Sequence, residues 1–253
     1  MENDLTNQDF WIHYWSNLQL PISVDEGFKN DHVIAQEILN AIPANPNFHA
    51  LEIGCAPGKW LSFLARKLQC KVTGIEYVSL AANKTVENLT LQNIKNFEII
   101  TGDFFKYTTE EKYDIVLSLG FIEHFDNFET VLEQQLSLVA TNGYLIMGIP
   151  RFVGMNYYMQ KLIDKKIINK LLPAHNLKTM NLEIYERFGK KHGLKILSNK
   201  YIGGFERGLF PVAEIKNSPY RIFCKIIMRV LDLFFGNINS NYSSSYQIAI
   251  FQK

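Results

Sequence analysis

Short, almost continuously apolar runs alternate along this chain with longer stretches whose apolar residues recur every three or four positions. The runs Ala50 to Ile53, Lys71 to Glu76, Phe97 to Thr101, Tyr113 to Gly120 and Tyr144 to Ile149 have the length of strands. The periodic stretches between them predict helices. One begins at Gly58 with Trp60, Leu61, Phe63, Leu64 and Leu68 on its apolar side, and another, opened by Ser79, runs from Leu80 to Leu91. A third reaches Val139 after a capping box from Asp126 to Glu129, and Asn142-Gly143 then turns the chain into the fifth strand. Ahead of the first strand, Asp31 is placed to cap a helix carrying Ile34, Ile38, Leu39 and Ile42, which ends before Pro43. Strands without polar alternation, joined by helices, imply a mostly parallel sheet covered on both faces.

Beyond Pro150 the rhythm changes. Arg151, Tyr157, Tyr158, Lys161, Lys165 and Lys166 accompany scattered apolar residues, and Leu171 to Asn176 follows; the stretch 151–180 reads as an insertion that shapes a substrate side. A helix from Leu182 to Lys191 then ends at Gly193, and strands are expected over Lys195 to Ile202 and Tyr246 to Phe251. Pro219 to Phe235 is amphipathic. Ile222, Phe223, Ile226, Ile227, Val230, Leu231 and Phe234 form one stripe, and Arg221, Lys225 and Arg229 form another. Such a helix packs on its own domain or a second copy, or lies on an anionic membrane.

Composition narrows the class. At 253 residues, 47% hydrophobic and 20% charged, the chain suits one well-filled α/β domain with additions. A net charge of +1 gives no global attraction to nucleic acid. Three scattered cysteines, Cys55, Cys70 and Cys224, form no Cys-x-x-Cys pair and suit a reducing cytoplasm better than a disulfide framework or zinc site. The polar, acidic start Met1 to Asp4 is unlike a signal peptide, and no apolar run has membrane-spanning length. The expectation is a cytoplasmic protein, with peripheral membrane or dimer contact through 219–235 left open.

The chemistry gathers around Leu51 to Trp60, where a strand stops at a glycine and a helix begins. The glycines let backbone approach a ligand closely, and the helix start offers free N–H groups. The spacing is Glu52-x-Gly54-x-x-x-Gly58, not the Gly-x-Gly-x-x-Gly of a dinucleotide-binding turn, so a dehydrogenase fits poorly. Glu76 ends the second strand about twenty residues past this turn, where an ionised carboxylate can accept from two adjacent hydroxyls. Asp103 follows the third strand, and Gly120 to Asp126, including Glu123-His124, follows the fourth.

In combination these segments resemble the class I S-adenosylmethionine (SAM)-dependent methyltransferases of small-molecule type. The resemblance covers about residues 48–150 with ordered motifs. It implies a Rossmann-like α/β fold: a seven-stranded, mostly parallel sheet with helices on both faces and an antiparallel last strand. It also implies an N-terminal helical lid and inserted helices. One domain over 1–253 is expected, with 1–47 as lid and first helix, 48–150 as cofactor core, 151–180 as insertion and 181–253 completing the sheet.

The cofactor would be SAM, leaving as S-adenosylhomocysteine, with no metal. Its expected wall is Glu52, Gly54, Cys55, Ala56 and Gly58 at the first turn, then Glu76 and Tyr77 at the ribose. Gly102, Asp103 and Phe104 stand at the adenine, and Leu119 and the lid residues Tyr14 and Trp15 complete the set. His124 is the candidate general base, since an unperturbed imidazole titrates near neutrality, with Glu123 orienting it or touching the acceptor. A purely structural His124 is the competing reading. Phe121, Tyr157 and His175 are candidate substrate contacts. The sequence lacks the Asn/Asp-Pro-Pro-Tyr/Phe motif of base and glutamine amino-methylation, and with its charge this points to a small-molecule, glycan or lipid-linked acceptor, methylated on oxygen or nitrogen. An RNA or protein methyltransferase, or a SAM-binding module without turnover, are the alternatives.

Overall fold

A computed structural model describes residues 5–16, 18–24 and 29–253; the acidic start Met1 to Asp4 and Gly27 lie outside the described residues. The first two helices, α1 (Gln8–Ser16) and α2 (Lys29–Ala41), precede β1 (His49–Ile53). The chain then alternates through α3 (Lys59–Lys67), β2 (Lys71–Glu76), α4 (Ser79–Leu91), β3 (Phe97–Thr101), β4 (Tyr113–Leu119), α5 (Phe128–Leu138) and β5 (Val139–Pro150). It finishes with α6 (Met155–Asp164), α7 (Leu182–Lys191), β6 (Lys195–Ile202), α8 (Ser218–Phe235) and β7 (Tyr246–Gln252).

The seven strands form one sheet in the order β3-β2-β1-β4-β5-β7-β6. Strands β1 to β5 pair in parallel, and β7 runs antiparallel to both β5 and β6. Both faces are covered, which is why the strands lack polar alternation. Ile34 and Ile38 of α2, Trp60, Leu61 and Leu64 of α3 and Leu89 of α4 pack on one face. Val131 and Leu132 of α5, Met159 and Ile163 of α6, Phe188 of α7 and Met228 of α8 pack on the other. Strand order reverses direction at β1 and β4, the crevice where open α/β sheets take ligands.

Three local expectations are corrected. Asp31 does not cap α2, which already starts at Lys29; its carboxylate holds Lys59 Nζ at 2.8 Å instead. No capping box starts α5. Asn127 is the cap and makes no side-chain bond, because the preceding segment is pinned from outside by Asn176 Nδ2, which donates to Phe125 O at 3.0 Å. The helix also ends at Leu138, and Val139 opens β5. Tyr113 pairs with Val139 and Ile115 with Tyr144, so the turn expected at Asn142-Gly143 is a bulge within the strand. Gly143 suits it, since a Cβ there would stand 2.9 Å from two carbonyl oxygens.

Arg151 is not a substrate-side residue but a buried strut, 1% exposed. Its guanidinium donates to the carbonyls of Ser240, Asn241 and Ser244 and lies 3.9 Å from the Tyr201 ring centroid. Burial without a carboxylate lowers its pKa to about 10. Hydrogen bonds to a charged group each contribute about 1.5–3 kcal/mol, so Arg151→Ala is expected to destabilise the fold by about 3 kcal/mol or more. Urea unfolding of the two proteins measures it; a change within 0.5 kcal/mol of zero, roughly the scale of a surface substitution, would contradict the strut.

Candidate active site

The C-terminal ends of β1, β2, β3, β4 and β5 open into one cavity of about 630 Å³, within the usual size of a small-molecule cleft. Gly54 follows β1 with φ +69°, a left-handed conformation that favours glycine, and a Cβ there would meet the Phe121 ring at 2.9 Å. The ring closes the cavity over the bare backbone. Glu76, at the end of β2, accepts from Val78 N at 3.0 Å and Ala56 N at 3.3 Å, one with each carboxylate oxygen. These bonds fix the carboxylate, which lines the cavity and keeps a further lone pair on each oxygen. At Asp103 one oxygen accepts from Phe105 N at 3.0 Å, and the other is buried with no hydrogen-bond partner, Lys106 Nζ standing 3.9 Å away. Glu52 has a second such orphan, and burial raises its pKa well above the ordinary value.

Of the residues expected at the cofactor, Glu52, Gly54, Ala56, Glu76, Tyr77, Gly102, Asp103, Phe104, Leu119, Tyr14 and Trp15 line this cavity. Cys55 and Gly58 do not. The Cys55 thiol points beneath the turn against Gly74, where a Cβ would meet it at 2.5 Å. Gly58, at φ +83°, starts α3 and packs on Thr85 and Leu89 of α4. Both shape the turn from behind. The sequence reading missed the opposed pair Asp31 and Lys59, which also lines the cavity; helical pattern alone does not bring α2 to α3.

The second half of the cavity is built by the insertion folding back on the Ile122–His124 turn. Asn176 N donates to Glu123 O at 2.6 Å, and His124 Nδ1 lies 2.7 Å from Ala174 O. His175 Nδ1 meets Leu171 O at 2.7 Å in the same way. A carbonyl only accepts, so both rings carry their proton on Nδ1 and leave Nε2 as a lone pair. Burial lowers His124 to a pKa of about 3 and His175 to about 4, so both are neutral near pH 7. Glu123 is fully buried, neither of its carboxylate oxygens has a partner, and burial raises its pKa to about 8.

This bears on two expectations. The His124 Nε2 to Glu123 Oε1 distance is 3.8 Å, so Ala174 rather than Glu123 orients the imidazole. The ring is also far less basic than a free one. Ligand atoms from Glu123, His124 and His175 lie within 4.8 Å of one another, an arrangement that can receive a cation. Phe121 lines the same cavity. Tyr157 does not: it lies on α6 with its ring 5.6 Å from Tyr158 and beside Lys161 Nζ. Trp11 of α1 covers the cluster, its ring set edge-on to His124 at 4.9 Å, and Leu5 N donates to His124 O at 2.9 Å.

A parallel sheet with a final antiparallel strand, a cavity at its switch point and carboxylates ending successive strands define the class I methyltransferase fold. The family model described as "Methyltransferase domain" matches residues 44–200, and the chain belongs to that family.

Curated relatives match over a shorter stretch. The chain is 32% identical to pavine N-methyltransferase of Thalictrum flavum subsp. glaucum over 98 residues, 38% of this chain and 28% of that one. It is 29% identical to (S)-coclaurine N-methyltransferase of Papaver somniferum over 133 residues, 50% of this chain and 37% of that one. The matched stretch thus spans 28% to 37% of these two relatives' length. Among solved structures, coclaurine N-methyltransferase bound to N-methylheliamine and SAH superposes with a TM-score of 0.59 at 12% identity, covering 87% of this chain and 71% of that one. The N-methyltransferase NodS from Bradyrhizobium japonicum, in complex with S-adenosylhomocysteine, gives 0.57 at 13% identity, covering 98% and 99%. At these identities the likeness is one of fold. No helix among the described residues is long and apolar enough to cross a membrane.

Proposed function

We propose that this chain transfers the methyl group of SAM to the nitrogen of a small amine. The observation that carries the reading is the Glu123 carboxylate, buried without a partner and faced by two neutral imidazoles. A bare buried carboxylate favours a cationic occupant, and an ammonium supplies both charge and N–H donors. The N-methyltransferase names of the relatives point the same way.

The residues at the first turn fit SAM. Glu76 presents free lone pairs to a ribose diol, and the orphan oxygen of Asp103 suits an amino group on a purine. Asp31 and Lys59, paired beside the glycine turn, suit the zwitterionic amino-acid end. When bound, SAM supplies a methyl group on a positively charged sulfur, already a good leaving group. The protein's contribution is alignment, exclusion of water and management of one proton.

Near pH 7 the ligand-free Glu123 carboxyl holds its proton; the charge of an incoming ammonium lowers its pKa, so that proton leaves to solvent and the carboxylate left behind faces the cation. Glu123 then takes the ammonium proton, which frees the nitrogen lone pair. Glu123 rather than His124 is the base in this scheme, because its pKa near 8 lies closer to neutrality than the imidazole's near 3. His124 and His175 accept remaining N–H groups through Nε2 and fix the line of attack. The nitrogen that gains carbon also gains the positive charge, which stays beside the carboxylate side of the cavity. Trp11, Phe121 and Phe125 wall this region against water.

Incubation with methyl-labelled SAM and a panel of primary, secondary and tertiary amines, with alcohols and carboxylic acids of matched shape, tests the proposal. Label on amines supports it. Label confined to oxygen acceptors, or SAM binding with no transfer to any acceptor, overturns it.

A further inference from the structure

Helix α8 carries two apolar faces and the core covers one of them. Cys224 and Met228 are buried, with Tyr220, Ile227, Leu231 and Phe235 packed around them. The stripe read from the sequence therefore divides. Ile227 and Leu231 face the core, whereas Ile222, Phe223, Ile226, Val230, Leu233 and Phe234 are exposed, Leu233 at 80% and Phe234 at 65%. At about 100° per residue these six occupy a continuous arc of roughly 120°. Exposed Lys225 and Arg229 lie along one side of it. The only acid of α8, Asp232, is held by Arg207 Nε at 2.8 Å.

A second element joins this surface. The Tyr220 hydroxyl donates to Leu162 O at 3.0 Å, and Lys166 Nζ stands 5.5 Å from the Tyr220 ring centroid. The end of α6 and the loop after it therefore sit beside the start of α8. In that loop Ile168 is 84% exposed and is flanked by exposed Lys165, Lys166 and Lys170.

We propose that α8 and the 165–170 loop form a docking surface for an anionic phospholipid bilayer. An apolar arc with cations along its edge is the pattern of a helix lying in a membrane interface, its side chains among acyl chains and its lysines and arginines at the phosphates. Five exposed cations meet no competing free carboxylate from α8 itself, so the surface complements a negative plane. RNA would satisfy the cations and leave the aliphatic arc in water. An antiparallel two-fold pairing of α8 would set the Lys225 and Arg229 rows of both copies side by side. The surface also meets the rim of the cavity, since Leu171 and the Arg207–Leu209 turn, which packs on α8, contribute Leu171, Gly208 and Leu209 to its lining.

Co-sedimentation of the full chain with vesicles of phosphatidylcholine, with and without phosphatidylglycerol, tests this. The phosphatidylglycerol vesicles should carry the protein down and high salt should release it. Phe223→Glu with Leu233→Glu, or Lys225→Glu with Arg229→Glu, should weaken partitioning by at least about tenfold while melting temperature and SAM binding stay unchanged. Should a variant melt early, the lipid and salt dependence of the unaltered protein still decides. Equal or absent sedimentation with both vesicle types overturns the proposal. So does a dimer in light scattering that Leu233→Glu dissolves, or binding to polyuridine in preference to vesicles.

Discussion

Replacing Glu76 by alanine is expected to weaken SAM binding by roughly two orders of magnitude and to erase the rise in melting temperature that SAM gives the unaltered protein. Two charge-assisted hydrogen bonds to a ribose diol contribute about 3 kcal/mol together, which corresponds to that factor. The same carboxylate orders the turn by accepting from Ala56 N and Val78 N, so its removal also loosens the backbone that the ligand would contact. Circular dichroism and the ligand-free melt separate the two effects. Gly54→Val attacks the same pocket from its other wall, because a side chain at φ +69° is strained and meets Phe121. Undiminished stabilisation by SAM in both variants would mean that the ligand does not lie here.

Glu123→Gln should leave SAM binding intact and lower kcat by about 10²–10⁴, since it removes the group proposed to take the proton and face the charged nitrogen. The substitution also has a signature in stability. The carboxyl titrates near 4.5 when unfolded and near 8 in the folded, ligand-free protein, because burial disfavours its charge. Between these values the folded state binds more protons than the unfolded state, so Glu123 makes stability fall as pH rises from about 4.5 to about 8. Melting temperature against pH should show that fall in the unaltered protein and a flatter profile in Glu123→Gln. Parallel profiles would show that Glu123 is not the buried acid described, and an unchanged kcat would remove it from the chemistry.

The sheet and the first half of the cavity were legible because their signals are local. A strand that stops at Gly54, a carboxylate one βαβ unit later at Glu76 and an acid after β3 at Asp103 all follow from the rhythm of short apolar runs and periodic stretches. That rhythm sends the ends of parallel strands to one edge, where these residues meet. What was not legible depends on contacts distant in sequence. Asp31 looks like a cap until α2 is laid beside α3, where Lys59 claims it. Glu123 and His175 are brought together by Asn176 N bonding to Glu123 O, a contact that no spacing announces. The low pKa of His124 was not legible for the same reason: the burial behind it comes from Trp11 above and the insertion below. In α8 the apolar arc is wider than one packing face, so periodicity could not say which part the core would take.

A crystal structure of the complex with S-adenosylhomocysteine and a small amine tests the central claim most directly. The account predicts the ribose hydroxyls on Glu76, the purine amino group at Asp103, and the sulfur and the amine nitrogen on the Glu123 side of the cavity, beneath Trp11. Nucleoside density elsewhere on the molecule, or an amine seated away from Glu123, would contradict it.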